Sequence, residues 1–150
     1  MKIAIGSDHA GFTRKQEIMQ YLSEMHIEYE DFGTYGLDSV DYPDFAKLVS
    51  QKVANKEFDY GILVCYTGVG MSISSNKVEG IRAALVQSVE NAVLAREHNN
   101  ANVLCLGAKD VNTSLAKQIV EAFLESQFQA GRHLRRVQKI MDLEDYERKA

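Results

Sequence analysis

Residues 65–72 (CYTGVGMS) place a cysteine beside a glycine-rich loop, directly after an apolar run. Gly68 and Gly70 allow a tight turn that directs several backbone N–H groups to one point ahead of a helix. Such a loop stabilises an anion, either a bound phosphate or an oxyanion formed during a reaction. The same field favours the thiolate of Cys65, although a buried and inert thiol at a strand end remains an alternative.

Glycine-loop signatures for a nucleotide or a covalent phosphate do not fit this segment. A Walker loop requires Gly-Lys-Ser/Thr, and G-x-G-x-x-G fails because Ile73 occupies the third glycine position. A cysteine phosphatase loop requires an arginine six residues after the nucleophile, where this chain has Met71. Cys65 is therefore a poor candidate for a phosphate-ester nucleophile.

Two further segments carry titratable side chains at predicted turns. Residues 6–11 (GSDHAG) hold Asp8 and His9 between glycines, and residues 95–102 (AREHNNAN) bring His98 and Asn99 to a helix end. A histidine at a helix end can titrate near neutral pH. Helix capping is the alternative interpretation for both Asp8 and His98.

The fourth segment is a basic run at residues 132–136 (RHLRR) in an otherwise acidic chain. Arg132 and Arg136 are four residues apart, so both project from one face of a helix. Two forked guanidinium groups on one face suit a phosphate, whereas a solvated charged surface is the alternative. The four histidines show no ligand spacing with each other or with cysteine, so we predict no metal site.

Short apolar runs alternate with amphipathic segments, which predicts an α/β fold. We predict strands over 2–6, 27–32, 60–65, 81–86 and 102–106, and helices near 11–25, 44–56, 70–77, 88–97 and 111–128. The run at 61–65 (GILVC) is apolar on both faces, as a central parallel strand must be. We therefore expect a Rossmann-like three-layer sandwich with a five-stranded parallel sheet, which binds ligands outside the carboxyl ends of its strands.

Length and composition predict one domain over 1–150 with a sizeable core, since 45% of its 150 residues are hydrophobic. The net charge of −4 disfavours nucleic acid and anionic membranes as partners. We recognise neither a signal peptide nor a stretch able to span a bilayer. Cys65 and Cys105 show no disulfide framework, so we expect a cytoplasmic protein with reduced thiols.

The last stretch, residues 131–150, begins with basic residues and continues with acidic ones. Leu134, Val137 and Met141 recur at helical spacing, which predicts an amphipathic tail helix. A helix with one apolar stripe beyond a completed sheet needs a surface to cover. We favour a partner subunit over the protein's own body.

Taken together, these segments resemble the ribose-5-phosphate isomerase B family, which also contains the galactose-6-phosphate isomerase subunits. The resemblance extends from residue 2 to about residue 140. It depends on motifs that occur jointly and in order: GSDHAG at 6–11, DYPD at 41–44, CxTGVGMS at 65–72, NK at 76–77, GIRAA at 80–84, AREHN at 95–99 and GRHxRRV at 131–137.

The resemblance implies an aldose–ketose isomerase of sugar phosphates that needs no metal, nucleotide or flavin. Cys65 matches the family's base and His98 the acid that opens the sugar ring, while Arg132 and Arg136 match a phosphate clamp. The substrate-binding positions that it implies are Asp8, His9, Tyr42, Tyr66, Thr67, Gly68, Val69, Gly70, Asn99, Lys109, Arg132 and Arg136. The family is dimeric or larger with shared active sites, so we expect a homodimer or homotetramer.

Two positions depart from the family pattern. Tyr66 stands where the family usually has glycine, and it would be strained if that site required a positive φ. Lys109 stands where an arginine usually reaches the phosphate, which keeps the charge but loses the fork. Both changes affect the expected substrate more than the expected reaction class.

For the reaction, we expect the Cys65 thiolate to move a proton from C2 to C1 of ribose 5-phosphate, giving ribulose 5-phosphate through a cis-enediolate. Backbone N–H groups from Thr67 to Gly70 and the Thr67 hydroxyl would hold the oxyanion, and Asp8 would carry protons between the two hydroxyls. The alternatives are a six-carbon substrate such as allose 6-phosphate or galactose 6-phosphate, a non-catalytic sugar-phosphate-binding module, and a thiol-dependent hydrolase.

Overall fold

The computed structural model describes residues 1–149, in which a five-stranded parallel sheet lies between two layers of helices. The strands are β1 (Lys2–Ser7), β2 (Glu28–Asp31), β3 (Tyr60–Cys65), β4 (Ala83–Leu85) and β5 (Val103–Gly107). The helices are α1 (Phe12–Glu24), α2 (Tyr42–Ala54), α3 (Val69–Ser75), α4 (Val89–Glu97), α5 (Thr113–Glu125) and α6 (Arg132–Lys149). This architecture confirms the predicted Rossmann-like sandwich.

The strands lie in the order β2-β1-β3-β5-β4. Side chains of α1, α4 and α5 pack in the core on one face of the sheet, and those of α2 and α3 pack in the core on the other. After β1 the chain therefore leaves toward one face, and after the neighbouring β3 it leaves toward the opposite face. The carboxyl ends of β1 and β3 thus form the switch point at which sheets of this class bind ligands.

The central strands are the most apolar segments of the chain. Every residue of β5 is buried, as are all residues of β3 after Tyr60, because helices cover both of their faces. The edge strand β4 is only three residues long and partly exposed. The register pairs Cys65 with Gly107, so β3 and β5 end together at the carboxyl edge.

Some boundaries differ from those predicted, and local hydrogen bonds explain why. β4 begins at Ala83 rather than at residue 81, since the Arg82 N–H donates to the Asn102 side chain at 2.8 Å. α2 begins two residues early and includes Pro43 in its first turn, where no N–H is needed. α5 begins at Thr113 rather than at residue 111 because the Asn112 side chain caps its start, accepting from the Leu115 N–H at 2.9 Å.

The tail helix is present as α6, although Ala150 of the predicted segment lies outside the described residues. His133 and Val137 are its buried residues. Met141 is partly buried, whereas four other large apolar side chains are exposed: Leu134, Ile140, Leu143 and Tyr146. That this helix packs on a partner subunit stays a prediction. Within residues 1–149, no helix combines the length and the hydropathy that crossing a membrane requires.

Candidate functional site

Most of the predicted site residues meet at the carboxyl edge of the sheet, in what we call the carboxyl-edge cluster. Its members come from the ends of β1, β3 and β5 and from the first residues of α2 and α3: Asp8, His9, Tyr42, Cys65, Tyr66, Thr67, Gly68, Val69, Gly70 and Lys109. The cluster therefore occupies the switch point between β1 and β3.

Cys65 is the last residue of β3, and its side chain is 4% exposed. The Gly68 N–H lies 3.2 Å from the Cys65 sulfur, to which it donates a hydrogen bond. Gly68 makes this contact with a left-handed backbone, φ +81°, just before α3. The Cys65 sulfur and the backbone N–H groups of the loop therefore lie close together within the cluster.

The loop after Cys65 also leaves donors unused. The Val69 N–H is satisfied by the Thr67 hydroxyl at 3.2 Å, whereas the N–H groups of Gly70 and Met71 find no acceptor among the described residues. These two groups point out of the first turn of α3, where an anion would complete their hydrogen bonding.

Tyr66 has an ordinary backbone conformation, because the left-handed residue of this loop is Gly68. The condition under which Tyr66 would be strained, a positive φ at position 66, is therefore not met. The Tyr66 carbonyl continues the pairing at the sheet edge, where it accepts from the Lys109 N–H at 2.9 Å. The Tyr66 side chain is 57% exposed and borders the cluster.

The other cysteine, Cys105, belongs to the core. It lies on β5 in the same apolar cluster as Cys65 and is fully buried. Burial, with a smaller contribution from nearby Cys65, raises the pKa of the Cys105 thiol. Both cysteines are free, and Cys65 is the one that reaches the cluster.

Asp8 and His9 are both tied to the surrounding backbone. The Asp8 carboxylate accepts from the Gly11 N–H at 3.0 Å, so it does brace the turn before α1, as the capping alternative proposed. It is also at the switch point, so bracing does not exclude a chemical role. His9 Nδ1 accepts from the Val40 N–H at 3.2 Å, which leaves Nε2 to donate to a ligand.

Gly70 is required because the ring of Tyr42 lies against it. A Cβ at position 70 would stand 2.6 Å from the Tyr42 ring. Tyr42 opens α2 and is partly exposed, so its ring forms one wall of the cluster.

A buried lysine, Lys15, stabilises the backbone behind the carboxyl-edge cluster. The sequence analysis did not identify this residue. Lys15 of α1 is fully buried, and its Nζ donates to Asp31 at 2.5 Å and to the Thr34 carbonyl at 2.7 Å. Ser7, directly before Asp8, donates its N–H to the Gly33 carbonyl and accepts from the Thr34 N–H, both at 2.7 Å. Lys15 thereby fixes the chain that leads to Asp8 and to the His9 contact at Val40.

The remaining predicted residues, together with His133, form a second group that we call the amino-edge cluster: His98, Asn99, Arg132, His133 and Arg136. His98 ends α4, which returns the chain to the amino edge of the sheet. The arginines lie one turn apart on α6, are exposed, and make no ion pair with the described residues. This arrangement favours an anion as their partner.

The rings of His98 and His133 stack with centroids 4.1 Å apart and planes inclined by 16°. Desolvation, together with the nearby His98, Arg132 and Arg136, lowers the pKa of His133. His133 therefore tends to be the neutral ring beside His98. Sequence reasoning assigned it no role, although its place between two predicted phosphate-binding arginines was a signal.

The two clusters do not meet within one chain. β3 ends at Cys65, whereas His98 and Asn99 precede β5, so the clusters lie at opposite edges of one sheet. A six-residue strand separates such edges by roughly 17–20 Å. No group of three or more His, Cys, Asp or Glu side chains in residues 1–149 is arranged to hold a metal ion.

Comparison with known proteins places this arrangement in one family. Residues 3–140 match the model of the Ribose/Galactose Isomerase family. Ribose-5-phosphate isomerase B of Escherichia coli is 47% identical over 143 residues, covering 95% of this chain and 96% of that protein. The structure of Clostridium thermocellum ribose-5-phosphate isomerase B has a TM-score of 0.97 at 49% identity and covers 98% of this chain and 99% of that one. The Mycoplasma genitalium enzyme with bound ribulose-5-phosphate has a TM-score of 0.92 at 47% identity and covers 96% of each chain.

Proposed function

We propose that this chain, which belongs to the ribose/galactose isomerase family and is an aldose–ketose isomerase, interconverts ribose 5-phosphate and ribulose 5-phosphate. The observation that carries the proposal is the Cys65 sulfur at the switch point, 3.2 Å from the Gly68 N–H. A base beside unused backbone donors suits removal of a proton next to a carbonyl. The pentose phosphate is favoured by the relatives named ribose-5-phosphate isomerase B.

In the proposed reaction, the Cys65 thiolate takes the C2 proton of open-chain ribose 5-phosphate. The electron pair of that C–H bond forms a C1–C2 double bond, and the C1 carbonyl oxygen becomes an oxyanion. The unused N–H groups of Gly70 and Met71 and the Thr67 hydroxyl stabilise this charge. The thiol returns the proton to C1, while Asp8 carries the hydroxyl proton from O2 to O1.

The amino-edge cluster has the complementary tasks. His98 donates a proton to the ring oxygen so that the sugar opens, and Arg132 and Arg136 hold the phosphate. Both arginines are free of carboxylate partners among residues 1–149, as a phosphate site requires. In this scheme the carboxyl-edge cluster binds the reacting carbons, with Lys109 and His9 as further donors.

We infer that two copies of the chain build each site, because the two clusters lie at opposite edges of one sheet. Apolar side chains are exposed beside both clusters: Val69 and Ile73 on α3, and Leu134, Ile140 and Leu143 on α6. A two-fold pair that buries these surfaces would place the amino-edge cluster of each copy against the carboxyl-edge cluster of the other.

The test combines two inactive variants. Cys65→Ala and His98→Ala, each purified alone, should show little conversion of ribose 5-phosphate. Co-expression with different tags should restore about a quarter of the parental activity, since half of randomly formed dimers are mixed and each has one intact site of two. Isolation of the mixed species by both tags should raise the value to about a half.

Coexpressed Cys65→Ala and Cys65→Ser chains provide the matched control, because their mixed dimers contain no intact base. An absence of recovery in the Cys65/His98 pair would contradict the shared site. Parent protein that converts neither pentose nor hexose phosphate would contradict the proposed activity itself.

A six-carbon sugar phosphate is the second candidate substrate, and the position of Tyr66 is the observation that favours it. The exposed ring of Tyr66 borders the Cys65 loop where the family usually has glycine. We expect Tyr66→Gly to change the ratio of kcat/KM for allose 6-phosphate to that for ribose 5-phosphate by about tenfold, since one pocket contact is worth 1–3 kcal/mol. Tyr66→Phe, which keeps the ring, should leave the ratio near the parental value. An unchanged ratio in Tyr66→Gly would show that the tyrosine does not select the substrate.

A further inference from the structure

The turn that follows His98 and Asn99 has a left-handed residue, Asn100, with φ +49°. This conformation disfavours most side chains other than glycine, and asparagine is among those that tolerate it. The Asn100 N–H donates to the Arg96 carbonyl at 3.2 Å, and the next residue, Ala101, donates to Ala95 at 2.9 Å. The turn thus closes tightly on the end of α4.

Arg96 binds the Asn100 side chain in this turn. Its Nη1 donates to Asn100 Oδ1 at 2.9 Å and to the Ala101 carbonyl at 2.7 Å. The guanidinium lies over the Tyr60 ring at 4.6 Å, and Arg96 is only 6% exposed. No carboxylate of the described chain forms an ion pair with it, although burying a cation is costly. Its hydrogen-bond acceptors all belong to the turn.

Arg82 holds the same turn from the other side. Its Nε donates to the Asn100 carbonyl at 2.8 Å, and its Nη1 lies 3.2 Å from the Met141 sulfur on α6. One guanidinium therefore contacts the turn that carries His98 and Asn99 and also the helix that carries Arg132 and Arg136. Together the two arginines contact four acceptors around this turn, three oxygens and the Met141 sulfur.

The His98 ring depends on this support, because the described residues offer its imidazole no hydrogen bond. The orientation of the His98 ring is set by the backbone at the end of α4 and by stacking on the His133 ring. We propose that Asn100, held by Arg82 and Arg96, is a positioning residue that aims His98 for opening of the sugar ring. This inference rests on the proposed function and assigns a role to residues outside both clusters.

The test separates ring opening from proton transfer. Ribulose 5-phosphate cannot close a five-membered ring, because the hydroxyl that would close it carries the phosphate. Exchange of the C1 hydrogen of ribulose 5-phosphate with D2O requires proton transfer by Cys65 but no ring opening. Conversion of ribose 5-phosphate requires both ring opening and proton transfer. Asn100→Gly keeps the left-handed backbone and removes the oxygen that Arg96 holds.

We expect Asn100→Gly to lower conversion of ribose 5-phosphate by about 10–100-fold, the usual effect of a displaced catalytic group, with C1 exchange within twofold of the parent. Asn100→Asp, which keeps an oxygen acceptor for Arg96, should retain most of the conversion. Lys56→Gly is the matched control, since Lys56 is an exposed left-handed residue (φ +62°) after α2, and it should change neither rate.

Arg96→Met provides a second variant, since it removes the Nη1 that donates to both Asn100 and Ala101, and it should show the same selective loss. Thermal unfolding of each variant verifies that the chain is folded. Equal losses of conversion and exchange in a folded Asn100→Gly protein would overturn the proposal, as would no loss in either. A parent protein without isomerase activity would instead overturn the proposed function.

Discussion

Replacing Cys65 with alanine will lower the conversion of ribose 5-phosphate by about 10²–10⁴-fold, the usual contribution of a positioned base. The side chain is almost fully buried at the end of β3, so no other thiol or solvent base has the same access to the reacting carbon. Substrate binding should persist, because the phosphate and hydroxyl contacts remain. Steady-state kinetics and direct binding of ribose 5-phosphate measure the two effects separately.

Cys105→Ala is the matched control, since it removes a thiol of the same core cluster two residues before the end of β5. Burial raises the pKa of that thiol, so it remains protonated at neutral pH, and it lies outside the carboxyl-edge cluster. The control should lose some stability to the cavity but keep its kcat. Near-parental kcat in Cys65→Ala would refute the proposed base.

The variant Lys15→Met should lower the free energy of unfolding by about 3–5 kcal/mol, the usual cost of removing one partner of a buried ion pair. Lys15 is fully buried, and its ammonium joins Asp31 of β2 to the Thr34 carbonyl. Methionine fills a similar volume but leaves the Thr34 carbonyl without its donor, and the Asp31 carboxylate keeps the Gly33 N–H at 2.9 Å but loses its cation. Urea unfolding followed by circular dichroism measures the change.

Lys52→Met is the matched control, because Lys52 pairs with Glu57 at 3.5 Å on the surface. It should change the free energy of unfolding by less than about 1 kcal/mol. The double variant Lys15→Met with Asp31→Leu should be less destabilised than Lys15→Met alone, since it removes both charges. A loss below about 1 kcal/mol in Lys15→Met would show that this pair does not anchor the segment.

Much of this fold follows from the pattern of the chain. The apolar runs of β3 and β5 predict buried parallel strands, and the amphipathic segments between the strands predict the covering helices. The insertion of β5 between β3 and β4 does not follow in the same way. It depends on which strand has enough apolar surface to be central, and the three residues Ala83–Leu85 have little.

The members of the carboxyl-edge cluster were predictable, since each follows a strand or opens a helix at the edge where parallel sheets bind ligands. Their supporting contacts were not. Lys15 and Arg96 read as ordinary helix-surface cations in the sequence, and burial against oxygen atoms of distant segments is a property of the assembled chain. Likewise, no spacing in the sequence shows that His133 stacks on His98.

The placement of reactive groups at opposite edges of one sheet has a consequence for the evolution of duplicated genes. In the proposed pair of identical chains, each gene product would supply the thiol half of one centre and the histidine half of the other. After a gene duplication, one copy can lose its thiol edge and its sister can lose its histidine edge, and a mixed pair still keeps one complete centre. The two genes then depend on each other, and a single self-sufficient enzyme has become one of two obligate chains.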